Sequence, residues 1–130
     1  MCLLVTPNAG VYAAENDALT ADETVVGGWD EKMGYFTNEE FSGILPVSQP
    51  YHTGRSERRD WNGYTYTRAL GWTRWEGVYH YTRAMVVSEF GQAVADSGRQ
   101  YGVTSTSAVS PWAKASADYA TQARSYYGKD

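Results

Sequence analysis

The sequence predicts an all-β protein built from short antiparallel strands, and three observations favour this class. Tryptophan, tyrosine and phenylalanine make up 15% of the 130 residues, so the chain can bury enough apolar surface to offset its conformational entropy. Thirteen glycines lie among tyrosine, threonine, tryptophan and valine, a composition typical of strands joined by tight turns. From residue 61 onward, side-chain character alternates along several segments, as the two faces of a strand require.

Residues 1–14 resemble an export signal. They are short and apolar, they end in small residues, and an acidic run follows them, which is the order of a secretory signal peptide and its cleavage site. No lysine or arginine precedes the apolar stretch, and a start codon placed too far downstream would explain this difference from a complete signal peptide. The alternative is a first strand with a mobile tail. We expect a secreted protein with a flexible acidic segment at 15–24 and a single β domain at 25–130.

The first part of that domain divides into a strand and a loop. Residues 25–29 predict the first strand, in which Gly27 and Gly28 allow a bulge or a close backbone approach. Residues 37–60 contain two prolines, two glycines and a charged run. They predict a long loop with one short strand at 44–47.

Strand signals are strongest in the middle of the chain. Residues 62–70 place tyrosines on one face and threonines on the other. Residues 72–75 form a short strand that ends at a Glu-Gly pair, and 78–88 is the longest strand candidate.

Turn residues divide the next part of the chain. Phe90-Gly91 predicts a hairpin turn into a strand at 92–95. Residues 96–98 predict a second turn, because glycine suits a positive φ. The alternating strand at 103–109 ends at a Ser-Pro pair.

The last stretch, 112–127, allows two interpretations. An apolar stripe at helical spacing and five alanines favour a helix. Alternation equally fits two short strands at 112–117 and 122–127, and periodicity does not decide between them.

Charge and residue counts exclude several functions. The net charge is −4, and residues 15–40 hold eight acids and one base, so the chain lacks the dense basic cluster of a nucleic-acid binder. No apolar run is long enough to span a membrane. One cysteine and two histidines exclude a disulfide framework and argue against a zinc site. We expect no metal and no cofactor.

An enzyme is the weakest of the functional hypotheses. Paired carboxylates would have to come from Glu57, Asp60 or Glu76. His80 and His52 are the candidate bases for a nucleophilic serine, but the sequence contains no G-x-S-x-G motif. We therefore predict no catalytic residues.

Aromatic and arginine side chains suggest a binding surface instead. Seven aromatic residues fall between positions 61 and 81, and flat rings on an exposed sheet face can stack on sugars or lie at a lipid headgroup layer. Arginines on the same strands can bind anionic groups or stack on the rings. The alternative for each ring is core packing. The candidate ligand-binding residues are Trp61, Tyr64, Tyr66, Arg68, Trp72, Arg74, Trp75, Tyr79, Tyr81 and Arg83.

Several short segments are similar to the lactococcin 972 type of bacteriocin. They lie at 78–87, 97–99, 111–116 and 123–128, and a Gly-Gly-Trp motif at 27–29 stands where the family has its first motif. The resemblance covers about 25–36 and 78–128. The residues in family-motif positions are Gly28, Trp29, His80, Trp112, Lys114, Tyr126 and Tyr127.

The resemblance implies an antiparallel β-sandwich, self-association as a homodimer, and strands rather than a helix at 112–127. It also implies antibacterial action at the cell envelope through binding of lipid II, a cell-wall precursor, rather than pore formation or catalysis. The leading hypothesis is therefore a secreted bacteriocin that acts on related bacteria. The alternative is a secreted, non-catalytic module that binds glycan or cell wall through exposed aromatics.

Overall fold

A computed structural model describes residues 24–38, 48–115 and 120–130, and the described residues form strands and no helix. The all-β class is therefore confirmed. The expectations for 1–14, for 15–23 and for a strand at 44–47 lie outside the described residues. The strands are β1 (Val25–Asp30), β2 (Gly34–Thr37), β3 (Tyr51–Trp61), β4 (Tyr64–Ser88), β5 (Ala93–Asp96), β6 (Gln100–Val109), β7 (Ala113–Lys114) and β8 (Thr121–Gly128).

All of these strands belong to one antiparallel sheet organised around β4. The order along the sheet is β2-β1-β8-β4-β3, and β5, β6 and β7 also pair with β4. The first half of β4 pairs with β3, and its second half pairs with β8. Strand β6 pairs with both halves. A 25-residue strand can take so many partners because different parts of its length serve different neighbours.

The sheet curls on itself at a bulge in β4. The β4–β6 pairing is interrupted between Trp75 and Tyr79, and Gly77 there has a φ of +72°. The two halves of β4 then face each other, because the Thr82 hydroxyl donates to Thr73 Oγ1 at 2.7 Å. The layers of the antiparallel sandwich are thus two halves of one curled sheet.

Glycine allows the two layers and the neighbouring strands to approach closely. A Cβ at Gly54 would lie 2.5 Å from Cε3 of Trp29, and a Cβ at Gly28 would collide with the carbonyl oxygen of Ser125. The β1–β8 pairing also shifts between Val25 and Gly27. Of the two roles predicted for this glycine pair, the close approach is confirmed, and the bulge lies directly before the pair, at Val26.

The prediction of a loop over 37–60 is wrong for residues 51–60. They form β3, whose eleven residues pair with β4 through a two-residue turn at Asn62 and Gly63. Both turn residues have positive φ, 54° and 80°, as a type I′ hairpin turn requires. Assigning this Asn-Gly pair to a strand was therefore also wrong. The charged run at 55–60 hid the alternation typical of a strand. Charged side chains are nevertheless common in strands at the edge of a sheet, where β3 lies.

After residue 72, the predicted turns are confirmed and one predicted strand end is wrong. The segments 72–75 and 78–88 belong to one strand, since the Glu-Gly pair makes a bulge and not an end. The turns at 90–91 and 96–98 are confirmed, with positive φ at Gly91 and Gly98. In the described part of 112–127 the chain forms β7 and β8, so the strand interpretation is the correct one there.

Candidate functional site

One surface of the sheet collects aromatic and cationic side chains. We call it the outer face: the odd-numbered residues of β3, the even-numbered residues 64–74 of β4, residues 105, 107 and 109 of β6, and Lys114. Register alignment places these positions beside one another, with Trp61 opposite Tyr64 at one end and Tyr51 opposite Arg74 at the other. The alternation of each strand directs these side chains away from the interior.

Cations lie over the rings along this face. The guanidinium carbons of Arg59 and Arg68 lie 4.5 and 4.6 Å from the ring of Trp112. Arg55 approaches Trp72 at 5.6 Å, and that contact lies further along the face. Each contact of this kind contributes about 0.5–1 kcal/mol at an exposed site, and together they hold the rings in defined positions.

The outer face is positively charged, although the chain as a whole is acidic. Glu57 is its acidic member and bonds to Arg68 and Arg55, each at 2.6 Å. The hydrogen bond from Arg68 is the main cause that lowers the pKa of Glu57, which therefore stays ionised. Arg74 pairs with Glu76 at the border of the face at 2.8 Å. Five cationic side chains thus outnumber the acids that they contact: Arg55, Arg59, Arg68, Arg74 and Lys114.

A pocket of about 310 Å³ lies at the Tyr51 end of the outer face. Its rings come from Tyr51 and Trp72, which are 72% and 40% exposed, and its charge comes from Arg74. Thr53, Thr73, Ser105, Thr106 and Ser107 complete the lining. Thr53, Ser105 and Ser107 lie on the outer face, whereas the hydroxyls of Thr73 and Thr106 are bonded to Thr82 between the layers. Rings, hydroxyls and a guanidinium provide stacking, hydrogen bonding and an anion contact within one concave site.

Six of the ten candidate ligand-binding residues lie together on the outer face. They are Trp61, Tyr64, Tyr66, Arg68, Trp72 and Arg74. The sequence pattern did not predict Tyr51, Arg55 and Arg59 of the same face, because it indicated a loop where β3 lies. The Asn-Gly turn was the signal that could have found them, since it predicts a second strand opposite 64–74.

The other four candidates do not join this face, and for two of them the binding hypothesis is wrong. Trp75 and Tyr81 are 0% and 1% exposed, and Trp75 Nε1 donates to the carbonyl of Ser48 at 2.9 Å. Odd-numbered residues of β4 point inward before the bulge, so the ring of Trp75 lies between the layers. The bulge exchanges the faces, so Tyr81 lies on the other side of the sheet, where Tyr101 and Arg99 cover its ring at 5.4 and 4.7 Å.

Arg83 and Tyr79 also lie away from the outer face, in the second half of β4. The guanidinium of Arg83 is paired with Asp96, its Nε donating to Oδ1 at 2.9 Å. Tyr79 is exposed, but its ring stacks on Tyr101 at 5.3 Å. The expectation that these arginines and tyrosines form one surface therefore fails, because the sheet curls between them.

The family-motif residues divide between the interior and the outer face. His80 is fully buried, with its ring nitrogens 2.8 and 3.3 Å from the carbonyl oxygens of Val78 and Thr73. Tyr126 and Tyr127 are also in the core, and Trp29 is half-buried. Lys114 lies on the outer face, with its Nζ 3.5 Å from the ring centre of Tyr64, and Trp112 contacts Arg59 and Arg68 there.

A second histidine lies between the layers. His52 Nε2 is 2.7 Å from the hydroxyl of Ser125, and Nδ1 is 2.8 Å from that of Thr73. Burial lowers the pKa of His52 to about 4. This arrangement differs from a catalytic triad, because a threonine hydroxyl takes the place of the orienting carboxylate and Ser125 is 0% exposed.

The described part of the chain contains no group of three or more histidine, cysteine or acidic side chains placed to hold a metal ion. Nor does that part include a helix with the length and apolar character that crossing a bilayer demands. Comparison of the chain with protein-family models, curated proteins and solved structures finds no match. The resemblance to the lactococcin 972 family therefore stays a prediction.

Proposed function

We propose that this chain is a secreted, non-catalytic bacteriocin of the lactococcin type that binds a cell-wall precursor through its outer face. The observation that carries the proposal is the pocket lined by Tyr51, Trp72 and Arg74 on a positively charged, aromatic surface. The lactococcin part of the proposal rests on the sequence resemblance, and the binding part rests on this surface.

The chemistry of the pocket suits a ligand that combines sugar rings with anionic groups. Aromatic rings stack on the apolar face of a sugar, and Thr53, Ser105 and Ser107 offer hydroxyls for its polar edge. Arg74 can contact a phosphate or carboxylate with two N–H groups. Cell-wall precursors such as lipid II carry both kinds of group, so they fit this lining.

Electrostatics favours the same surface. The chain carries a net charge of −4, so an anionic envelope repels most of it, whereas the outer face is locally positive. Charges separated by more than about 10 Å are largely screened in physiological salt. The local field of the outer face would therefore orient the protein towards an anionic ligand.

A non-catalytic role is consistent with the titratable groups near this surface. A general acid needs a raised pKa, whereas the pKa of Glu57 is lowered by Arg68. Asp60 Oδ1 accepts a hydrogen bond from the Thr65 hydroxyl at 2.9 Å, and Glu76 pairs with Arg74. The carboxylates considered for catalysis thus have structural partners.

Growth inhibition by the purified protein tests the proposal. We expect inhibition of some strains in a panel of Gram-positive bacteria, and a loss of potency of about tenfold or more for the double variant Tyr51→Ala plus Trp72→Ala, since each lost stacking contact is worth roughly 0.5–1.5 kcal/mol. Tyr79→Ala is the matched control, because it removes an exposed ring that lies off the outer face. Inactivity across the whole panel at high concentration would contradict a bacteriocin.

A glycan-binding or cell-wall-binding module without killing activity is the second candidate, and the same pocket favours it. Sedimentation with isolated cell walls separates the two, because the module would be retained by walls while leaving growth unaffected. We expect the Tyr51→Ala plus Trp72→Ala variant to lose retention and Tyr79→Ala to keep it. Equal retention of the wild type and the double variant would contradict a role for the pocket in either function.

A further inference from the structure

The β3–β4 hairpin ends in a tip that the rest of the protein leaves uncovered. Residues 58–65 are all exposed, on both faces of the strand pair, and the type I′ turn lies at their centre. We call residues 58–65 the hairpin tip. A tip with this exposure contributes little to the core. Large apolar side chains at such a position therefore indicate a surface that interacts with another molecule or a membrane.

Two large exposed rings lie at the tip among its polar side chains. Trp61 and Tyr64 are direct cross-strand partners, 58% and 49% exposed. The ring of Tyr66 in the next row lies 6.1 Å from that of Trp61. Cross-strand packing accounts for part of this pairing. The rings also combine an apolar body with a polar edge, which is the property that enriches Trp and Tyr at the bilayer–water interface.

Cations lie beside these rings. Arg59 and Lys114 flank Tyr66 in the adjacent row, and in the described part of the chain neither forms an ion pair with an acid. Asp60 alternates to the opposite side of the hairpin, where it bonds to Thr65. The ring side of the tip is therefore positively charged and complementary to anionic lipid headgroups.

We propose that the hairpin tip docks on the surface of an anionic phospholipid bilayer. Trp61 and Tyr64 enter the headgroup layer, and Arg59 and Lys114 lie against the lipid phosphates. This inference goes beyond the proposed function. Tyr51 of the pocket is ten residues along β3 from Trp61, about 30 Å at the rise of a strand, so one site can be present without the other.

Co-sedimentation of the purified full chain with vesicles tests the docking. We expect binding to vesicles that contain phosphatidylglycerol, little binding to pure phosphatidylcholine vesicles, and weaker binding as salt is raised. Trp61→Ala plus Tyr64→Ala, and separately Arg59→Gln plus Lys114→Gln, should each weaken the partition coefficient about tenfold or more. The charge variant leaves the rings in place, so the two variants report on independent parts of the same contact.

The Tyr51→Ala plus Trp72→Ala variant is the matched control, because it removes two outer-face rings far from the tip, and it should bind vesicles as the wild type does. Excess inorganic phosphate, compared with sodium chloride at the same ionic strength, distinguishes a lipid surface from a phosphate site: equal vesicle binding in the two salts supports the proposal, and full displacement by phosphate alone contradicts it. Absence of binding to phosphatidylglycerol vesicles, or unchanged binding by both tip variants, would overturn it. Circular dichroism of each variant establishes that the strands are retained.

Discussion

His52 is a titratable side chain whose environment decides its charge. Its ring lies between the layers, with hydroxyls on both nitrogens and the ring of Tyr127 at 4.9 Å. Desolvation by burial is the main cause that lowers its pKa from 6.5 to about 4. The neutral imidazole is therefore the form that the folded protein accommodates near neutral pH.

This environment predicts a pH-dependent stability. Below pH 6.5 the unfolded chain binds a proton at His52, whereas the folded chain does not until about pH 4. The free energy of unfolding should therefore be highest above pH 6.5 and fall between pH 6.5 and 4, by on the order of 3 kcal/mol from this residue. Urea unfolding of wild type and His52→Gln across this range measures it. The variant should show a shallower slope, and identical slopes would contradict the assignment.

The β3–β4 hairpin shows how much of an element the sequence predicts. Alternation predicted a strand at 62–70, where tyrosine and threonine alternate, and a separate short strand at 72–75. It did not identify β3, since the run from Arg55 to Asp60 is charged and only half of it faces the outer surface. Pairing with β4 supplies the backbone hydrogen bonds that local composition did not predict.

The turn of this hairpin gives a prediction for its stability. Gly63 has a φ of +80°, and nothing lies within 4 Å of the position of an added Cβ, so Gly63→Ala tests backbone strain alone. We expect a loss of about 1–2 kcal/mol in the free energy of unfolding. Asn62→Gly is the control and should change stability by much less, because glycine accepts the φ of 54° at that position. Equal losses for both substitutions would contradict a type I′ turn.

A buried ion pair joins β1 to β8 in the interior of the molecule. Arg124 of β8 donates through Nε to Asp30 of β1 at 2.6 Å, and their side chains are 6% and 0% exposed. Gln122 donates to the same carboxylate at 2.8 Å, while Lys32 and Met33 bond to it through their backbone N–H groups. This cluster fixes the turn after β1 and the position of β1 on β8.

Removing one charge of this pair should destabilise the fold strongly. We expect Arg124→Met to lower the free energy of unfolding by about 3–5 kcal/mol, because it leaves a carboxylate buried without its cation. Arg74→Met is the matched control: its partner Glu76 is 68% exposed, and surface pairs contribute about 0–1 kcal/mol. The double variant Asp30→Leu plus Arg124→Met should lose less than the sum of the single variants. Similar losses for Arg124→Met and Arg74→Met in denaturant unfolding would refute the role of burial.

Side-chain patterns in the sequence were enough to predict the all-β class, most strands after residue 61, the turns at Gly91 and Gly98, and the glycine contact at Gly28. These depend on side-chain alternation and on backbone freedom, which are local properties. The division of the rings between core and surface, in contrast, depends on how the sheet curls. Before the bulge at Gly77, Trp72 lies on the outer face and Trp75 is buried between the layers. After the bulge the faces of β4 are exchanged, and Tyr81 is buried under Tyr101 and Arg99. The contribution of β3 to the candidate site likewise depends on tertiary structure, since strand pairing joins residues that local composition does not relate.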